Sequence, residues 1–153
     1  MLNLEGKIVF ITGASSGIGE SCAKEFAKQK ANLILAARRK DRLLKLADEL
    51  EKQYEIKVKC LEVDVRNFDD VQNKFNSLES KWKQVDILLN NAGLAKGLNK
   101  VYEGSLSDWD EMIDTNLKGL LNVTRVISPQ MVDRQSGHII NIGSTAGHEV
   151  YTH

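Results

Sequence analysis

This sequence is poor in most of the features that mark a specialised class of protein. Among 153 residues there are only two cysteines and one proline. Cys22 and Cys60 stand far apart, without metal-type or redox-motif spacing, and read as small buried hydrophobes rather than a disulfide or a ligand pair. Neither sign of charge is in excess, since 21 basic residues balance 21 acidic ones. No global field then draws the chain to nucleic acid or to an anionic membrane. No apolar run approaches the roughly 20 residues that span a bilayer, and residues 1–7 lack the apolar stretch of a signal peptide. The chain is expected to be cytoplasmic. Linkers, low-complexity tracts and solenoid-type repeats are also missing, so this length implies one domain. No Gly-x-Ser-x-Gly elbow occurs, and none of His138, His148 and His153 has an obvious partner, which argues against a hydrolase triad. No metal site is apparent.

What the sequence does contain is an unbroken alternation of strand and helix patterns. Residues 7–11 read as a strand, and the helix after it carries Ile18, Cys22, Ala23, Phe26 and Ala27 at helical spacing. A second strand is expected over 32–37, followed by a helix with Leu43, Leu44, Leu46, Ala47 and Leu50 on one face. Residues 57–63 form the third strand, and Phe68, Val71, Phe75, Leu78 and Trp82 step along a third helix. Residues 85–89 read as a short buried strand. Ser107-Asp108 can then cap a long helix through Trp109, Met112, Ile113, Leu117, Leu120 and Leu121, with Pro129 expected to kink it or start a new one. Residues 138–142 complete the pattern as a fifth strand. Strands alternating with crossover helices imply a doubly wound α/β fold with a parallel sheet. Ligands of such sheets bind beyond the C-terminal strand ends. All five of those ends carry polar or glycine residues here.

The first strand end is the most pointed. Thr12-Gly13-Ala14-Ser15-Ser16-Gly17-Ile18-Gly19 follows an apolar strand and opens a helix. Gly13 permits the sharp turn, Gly17 lets backbone approach a pyrophosphate, and Gly19 lets helix pack closely on strand. Free N–H groups of Ser15, Ser16, Gly17 and Ile18 and the positive end of the helix dipole would face the anion. The second strand ends in Ala37-Arg38-Arg39, where a site selective for a ribose 2′-hydroxyl usually carries an acid about 20 residues after the glycines. Two guanidinium groups suit a 2′-phosphate instead, favouring NADP over NAD, and the plainer alternative is a pair of solvated loop cations.

The remaining strand ends each admit two readings. Asp64 can accept from an adenine amino group while Val65 covers the ring, or Asp64 can cap the turn before Asn67. In Asn90-Asn91-Ala92-Gly93 the amides can cross-link strand ends, and Ala92-Gly93 leaves room for a ribose. Asn116 puts an amide on an otherwise apolar helical line, so it needs a hydrogen-bond partner, structural or functional. Ser144 ends the fifth strand, where a hydroxyl can donate to a developing oxyanion or serve only as a turn residue.

Taken in order and spacing, Thr12-Gly13-x-x-x-Gly17-Ile18-Gly19, Asp64, Asn90-Asn91-Ala92-Gly93, Asn116 and Ser144 resemble the short-chain dehydrogenases/reductases over the whole chain. Within that family, residues 35–39 and 140–147 are most similar to the NADP-dependent 3-hydroxy acid (serine-type) dehydrogenases. The resemblance implies a Rossmann fold and hydride transfer between NADP(H) and a secondary alcohol or ketone. It implies that Ser144 polarises the carbonyl oxygen and that Asn116 organises a proton-relay water. It also implies a homo-oligomer, dimer or tetramer, for the full-length protein. One departure stands out, because the family's Tyr-x-x-x-Lys pair would fall just beyond His153. Tyr151 follows Ser144 too closely and no lysine follows it, so it reads as a loop residue. Residues 1–153 are accordingly expected to be the NADP-binding part of a domain whose C-terminal part is absent, with a non-catalytic nucleotide-binding or interaction module as the alternative.

Overall fold

The computed structural model describes residues 4–97 and 99–149. Tyr151 and His153, which the sequence places in a loop and at the terminus, lie outside the described residues. Five strands, β1 (Ile8–Thr12), β2 (Asn32–Ala37), β3 (Val58–Glu62), β4 (Ile87–Asn90) and β5 (His138–Asn141), form one sheet in the order β3-β2-β1-β4-β5. Every pairing is parallel, with Phe10 opposite Ile34 on one side and opposite Leu88 on the other. The chain builds outward from β1 to β3, then returns to the other side of β1 for β4. That reversal opens a crevice at the C-terminal ends of β1 and β4, where doubly wound sheets bind ligands.

Helices cover both faces, so the central strands are apolar along their whole length. Side chains alternate across the sheet. Val9, Ile11, Leu33, Leu35 and Leu89 meet Ala23 and Ala27 of α1 (Gly17–Lys28) and Leu43 and Leu50 of α2 (Lys40–Tyr54). Phe10, Ile34, Ala36 and Leu88 meet Val71 and Phe75 of α3 (Phe68–Asn76) and Val123, Ile127 and Met131 of α5 (Leu120–Asp133). Phe10 and Phe75 stand edge to face with ring centroids 6.3 Å apart. Cys22 and Cys60 are free and half-buried against the first of these cores. Burial pushes the Cys60 thiol up to about 11, which leaves it protonated and unreactive.

Several elements differ from the sequence reading. The third helix stops at Asn76, and Trp82 lies in a separate 3-10 turn, Ser80–Lys83, yet still reaches the core. Its spacing from Phe75 was helical only by coincidence. The cap of the fourth helix is Ser105 rather than Ser107, with α4 running Leu106–Ile113 and the two serine hydroxyls 2.8 Å apart. Asp114–Gly119 then widens into a π-helical segment before α5. Pro129 starts no new helix, because α5 continues past it with Ile127 and Met131 buried on either side. Leu44, Ile113, Leu117 and Leu121 are exposed rather than core-facing, since each falls on the side of its helix turned away from the sheet.

Candidate active site

A cleft of about 1010 Å³ opens over the C-terminal ends of the strands, at the crevice set by the sheet order. Its walls bring together Gly13, Ser15, Ser16 and Ile18 after β1, Arg38 and Arg39 after β2, and Asp64 and Val65 after β3. Asn91, Ala92 and Gly93 after β4, Asn116 of the π-helical segment and Ser144 after β5 complete it. Of the glycine-turn residues, Thr12, Ala14, Gly17 and Gly19 are not part of that lining, Gly19 being buried and Gly17 exposed.

The glycine turn is built by conformation and by space. Gly13 and Gly17 have φ of +65° and +58°, the left-handed region that disfavours a side chain. A Cβ on Gly13 would also stand 2.8 Å from the Asn91 amide nitrogen. At Gly17 a Cβ would meet nothing within 4 Å, so this glycine serves the backbone bend and leaves open space in front of it. Gly19 is a packing glycine, whose Cβ would sit 2.5 Å from both the Asn91 amide nitrogen and the Gly13 carbonyl oxygen. Helix α1 is thereby drawn onto the end of β4 as well as onto its own strand.

Ser16 is the N-cap of α1 but makes no side-chain capping bond. Its hydroxyl instead accepts from Arg39 Nη2 at 2.7 Å, while Ser15 Oγ accepts from Arg39 Nη2 at 2.9 Å and from Nε at 3.2 Å. The guanidinium is held over the turn, and each hydroxyl keeps its own proton to donate. The first-turn N–H groups of α1 therefore lack the serine oxygen that would ordinarily satisfy one of them. An uncapped helix start beside a fixed cation has the chemistry to hold an anion.

The Asn90-Asn91 pair proves largely structural. Thr12 Oγ1 accepts from the backbone N–H groups of Asn91 and Ala92, both at 2.9 Å, and the Asn91 amide donates to the Thr12 carbonyl at 3.0 Å. Asn90 donates to Thr124 Oγ1 at 2.9 Å and to Asn141 Oδ1 at 3.0 Å, tying β4 to α5 and β5. Asn116 finds both partners on the backbone of one residue: it accepts from Leu94 N–H at 2.9 Å and donates to the Leu94 carbonyl at 2.8 Å. The amide thus anchors the loop that leaves β4. A Cβ on Gly93 would stand 3.3 Å from Asn116 Oδ1, so glycine there lets the loop approach the helix. Ser144 Oγ accepts from the Ala146 N–H at 3.1 Å, capping the 3-10 turn Thr145–Gly147. Its own proton still points nowhere obligatory and can be donated into the cleft.

Asp64 closes the turn before Asn67 while standing at the cleft. Its carboxylate lines the cleft and also accepts from the Arg66 backbone N–H at 3.0 Å, closing the turn. Sequence reasoning passed over Arg66, whose Nε lies 3.0 Å from each Asp64 oxygen and whose Nη2 lies 2.6 Å from Oδ2. Those hydrogen bonds hold the Asp64 carboxyl below its usual range, with Arg66 and Arg38 charges adding to the effect. Thr115, Leu120, Asn141 and Ile142 also line the cleft without having been singled out. The Asp-x-Arg spacing was the one local signal available for any of them.

Comparison with known proteins bears on this cleft directly. The family model for short chain dehydrogenase matches residues 7–153. The NADP-dependent 3-hydroxy acid dehydrogenase YdfG of Salmonella typhi is 46% identical over 140 residues, covering 92% of this chain and 55% of that protein. The NADP-dependent 3-hydroxy acid dehydrogenase of Schizosaccharomyces pombe is 44% identical over 152 residues, covering 99% of this chain and 59% of that protein. A solved structure, the closed form of serine dehydrogenase complexed with NADP+, matches with a TM-score of 0.86 at 46% identity, over 94% of this chain and 56% of that one. The chain spans a little over half the length of the curated relatives it matches. With the glycine turn, the Asn-Asn-Ala-Gly strand end and Ser144 gathered at one crevice, and a family match from Lys7 to the last residue, the chain belongs to the short-chain dehydrogenase family.

Proposed function

We propose that these residues form the nucleotide-binding part of an oxidoreductase that transfers a hydride between NADP(H) and a secondary alcohol or ketone, with 3-hydroxy acids as the favoured substrate class. The observation that carries this reading is the uncapped start of α1 beneath the Arg39–Ser15–Ser16 cluster. A pyrophosphate suits the helix start, and a 2′-phosphate suits two serine hydroxyls with a guanidinium held across them. Arg38 adds a second cation on the same wall, and no carboxylate stands at Ala37 to prefer a free 2′-hydroxyl. Asp64 and Val65 would take the adenine, and Ala92-Gly93 the nicotinamide ribose. The relatives named for NADP support the same choice.

NADP(H) when bound supplies or accepts the hydride. Ser144 would donate its hydroxyl proton toward the substrate oxygen and stabilise charge developing there. Asn116 acts through Leu94, holding the loop that borders the reacting end. We place the protein in the cytoplasm, since no helix among the described residues is long and apolar enough to cross a membrane and the chain carries two free cysteines. We also infer a dimer or tetramer, for which the exposed Ile113, Leu117 and Leu121 offer apolar surface.

The test is a fluorescence titration of the full-length protein with NADPH and with NADH. NADPH is expected to bind more tightly, and Arg39→Ala to weaken NADPH by roughly ten- to a hundredfold while leaving NADH within about threefold. Equal affinities in the starting protein, or tighter NADH, would refute the cofactor assignment.

A further inference from the structure

Arg66 is fixed from three directions, which is unusual for a long cation at the mouth of a cleft. Its backbone is pinned by Asn122 of α5, whose amide donates to the carbonyls of Val65 at 2.9 Å and Arg66 at 3.3 Å. Its guanidinium is fastened to Asp64 on one side, and its Nη1 lies 3.5 Å from Glu111 Oε1 of α4 on the other. Glu111 is in turn paired with Lys96. Behind the turn, Val65 packs so closely on Gly119 that a Cβ there would stand 2.7 Å from the valine methyl. Both the turn and the side chain are therefore built in place. Contacts from Arg66 occupy most of the acceptor capacity of the Asp64 carboxylate, about four lone-pair sites. What remains is an acceptor that cannot swing.

We propose that Arg66 is a positioning residue for base selection, holding the Asp64 carboxylate in a fixed orientation so that the cleft takes a purine with an exocyclic amino group and disfavours a 6-oxo purine. This rests on the reading of the cleft as an NADP(H) site. A 6-amino group donates to a carboxylate, whereas a 6-oxo group presents an acceptor to an acceptor. Without the Arg66 clamp the carboxylate can rotate away, and the distinction fades. Arg38, whose charge also reaches Asp64, stands at the end of the neighbouring strand β2 and makes no hydrogen bond to it among the described residues, so it does not replace the clamp.

The experiment compares dissociation constants for NADPH and its hypoxanthine analogue, deamino-NADPH, by fluorescence titration of the full-length protein and of Arg66→Met and Arg66→Gln. The starting protein is expected to prefer NADPH by roughly tenfold or more, the size of one hydrogen bond to a charged group. Both variants are expected to bring the two ligands within about threefold of each other, chiefly by weakening NADPH. Should Arg66→Met fail to fold, Arg66→Gln, which retains a donor and most of the stem, carries the comparison. A role confined to the fold would weaken both nucleotides alike, and an unchanged ratio in a folded variant overturns the proposal. Equal binding of both nucleotides by the starting protein overturns it too. If the starting protein bound neither, the NADP(H) reading itself would fall and this inference with it, a result distinct from an unchanged ratio.

Discussion

Replacing Thr12 with valine removes one oxygen and very little volume, yet it should be among the most damaging changes to this domain. Thr12 is 2% exposed, and its hydroxyl oxygen accepts from two backbone N–H groups, Asn91 and Ala92, both at 2.9 Å. The hydroxyl proton points toward the Leu89 carbonyl at 3.4 Å. In the valine variant the two N–H groups lose their acceptor at a place where water enters poorly. An unsatisfied buried donor costs about 1–3 kcal/mol, so the pair should lose roughly 2–4 kcal/mol after allowing for their partial exposure. For a domain whose whole stability is about 5–15 kcal/mol, that is a large share. With a urea dependence near 2 kcal/mol per molar, the unfolding midpoint should fall by about 1–2 M. Urea titration followed by circular dichroism measures this, with Thr12→Ser as the control that keeps the hydroxyl and stays within about 1 kcal/mol of the starting protein. If Thr12→Val unfolds within about 0.5 kcal/mol of the starting protein, the hydroxyl does not hold β1 to the end of β4 and the reasoning is wrong.

Two other consequences can be checked. Asn116→Leu strips the partners from both backbone groups of Leu94, a loss of about 1–3 kcal/mol, which should lower the melting temperature by roughly 3–10 °C for a domain of this size. Asn116→Asp, which keeps the acceptor for the Leu94 N–H, should fall between, and an unshifted Tm for Asn116→Leu would show that the amide anchors nothing. The Asp64 carboxyl lies below its usual value because Arg66 hydrogen-bonds its charged form. Stability from that pair is therefore fully present above the unfolded value near 3.9 and is lost as pH falls through the lowered folded value. In Arg66→Met the Asp64 carboxyl should titrate at a higher pH than in the starting protein, by carbon NMR of the side chain, and coincident titrations would contradict the assignment.

Local spacing alone was enough to place β2 at Asn32–Ala37, to open α1 at Gly17 and to foresee a parallel doubly wound sheet. These features follow from apolar periodicity and from glycine, whose effects act within a few residues. The same spacing set the five strand ends at one edge, because parallel strands joined by crossover helices must all point the same way. It misplaced the end of α3 and the cap of α4, since Trp82 reaches the core from a 3-10 turn and Ser105 precedes Ser107 by only two positions. What the side chains at the cleft bind to was decided elsewhere. Asn116 reaches back 22 residues to Leu94, Asn122 reaches back 57 to Val65, and Asn90 spans 51 to Asn141. Ser16 stands at the N-cap of α1, but its hydroxyl is claimed by Arg39, 23 residues on. A hydrogen bond depends on distance and angle in space, and neither is defined for such pairs until the sheet order and the packed helices bring their elements together.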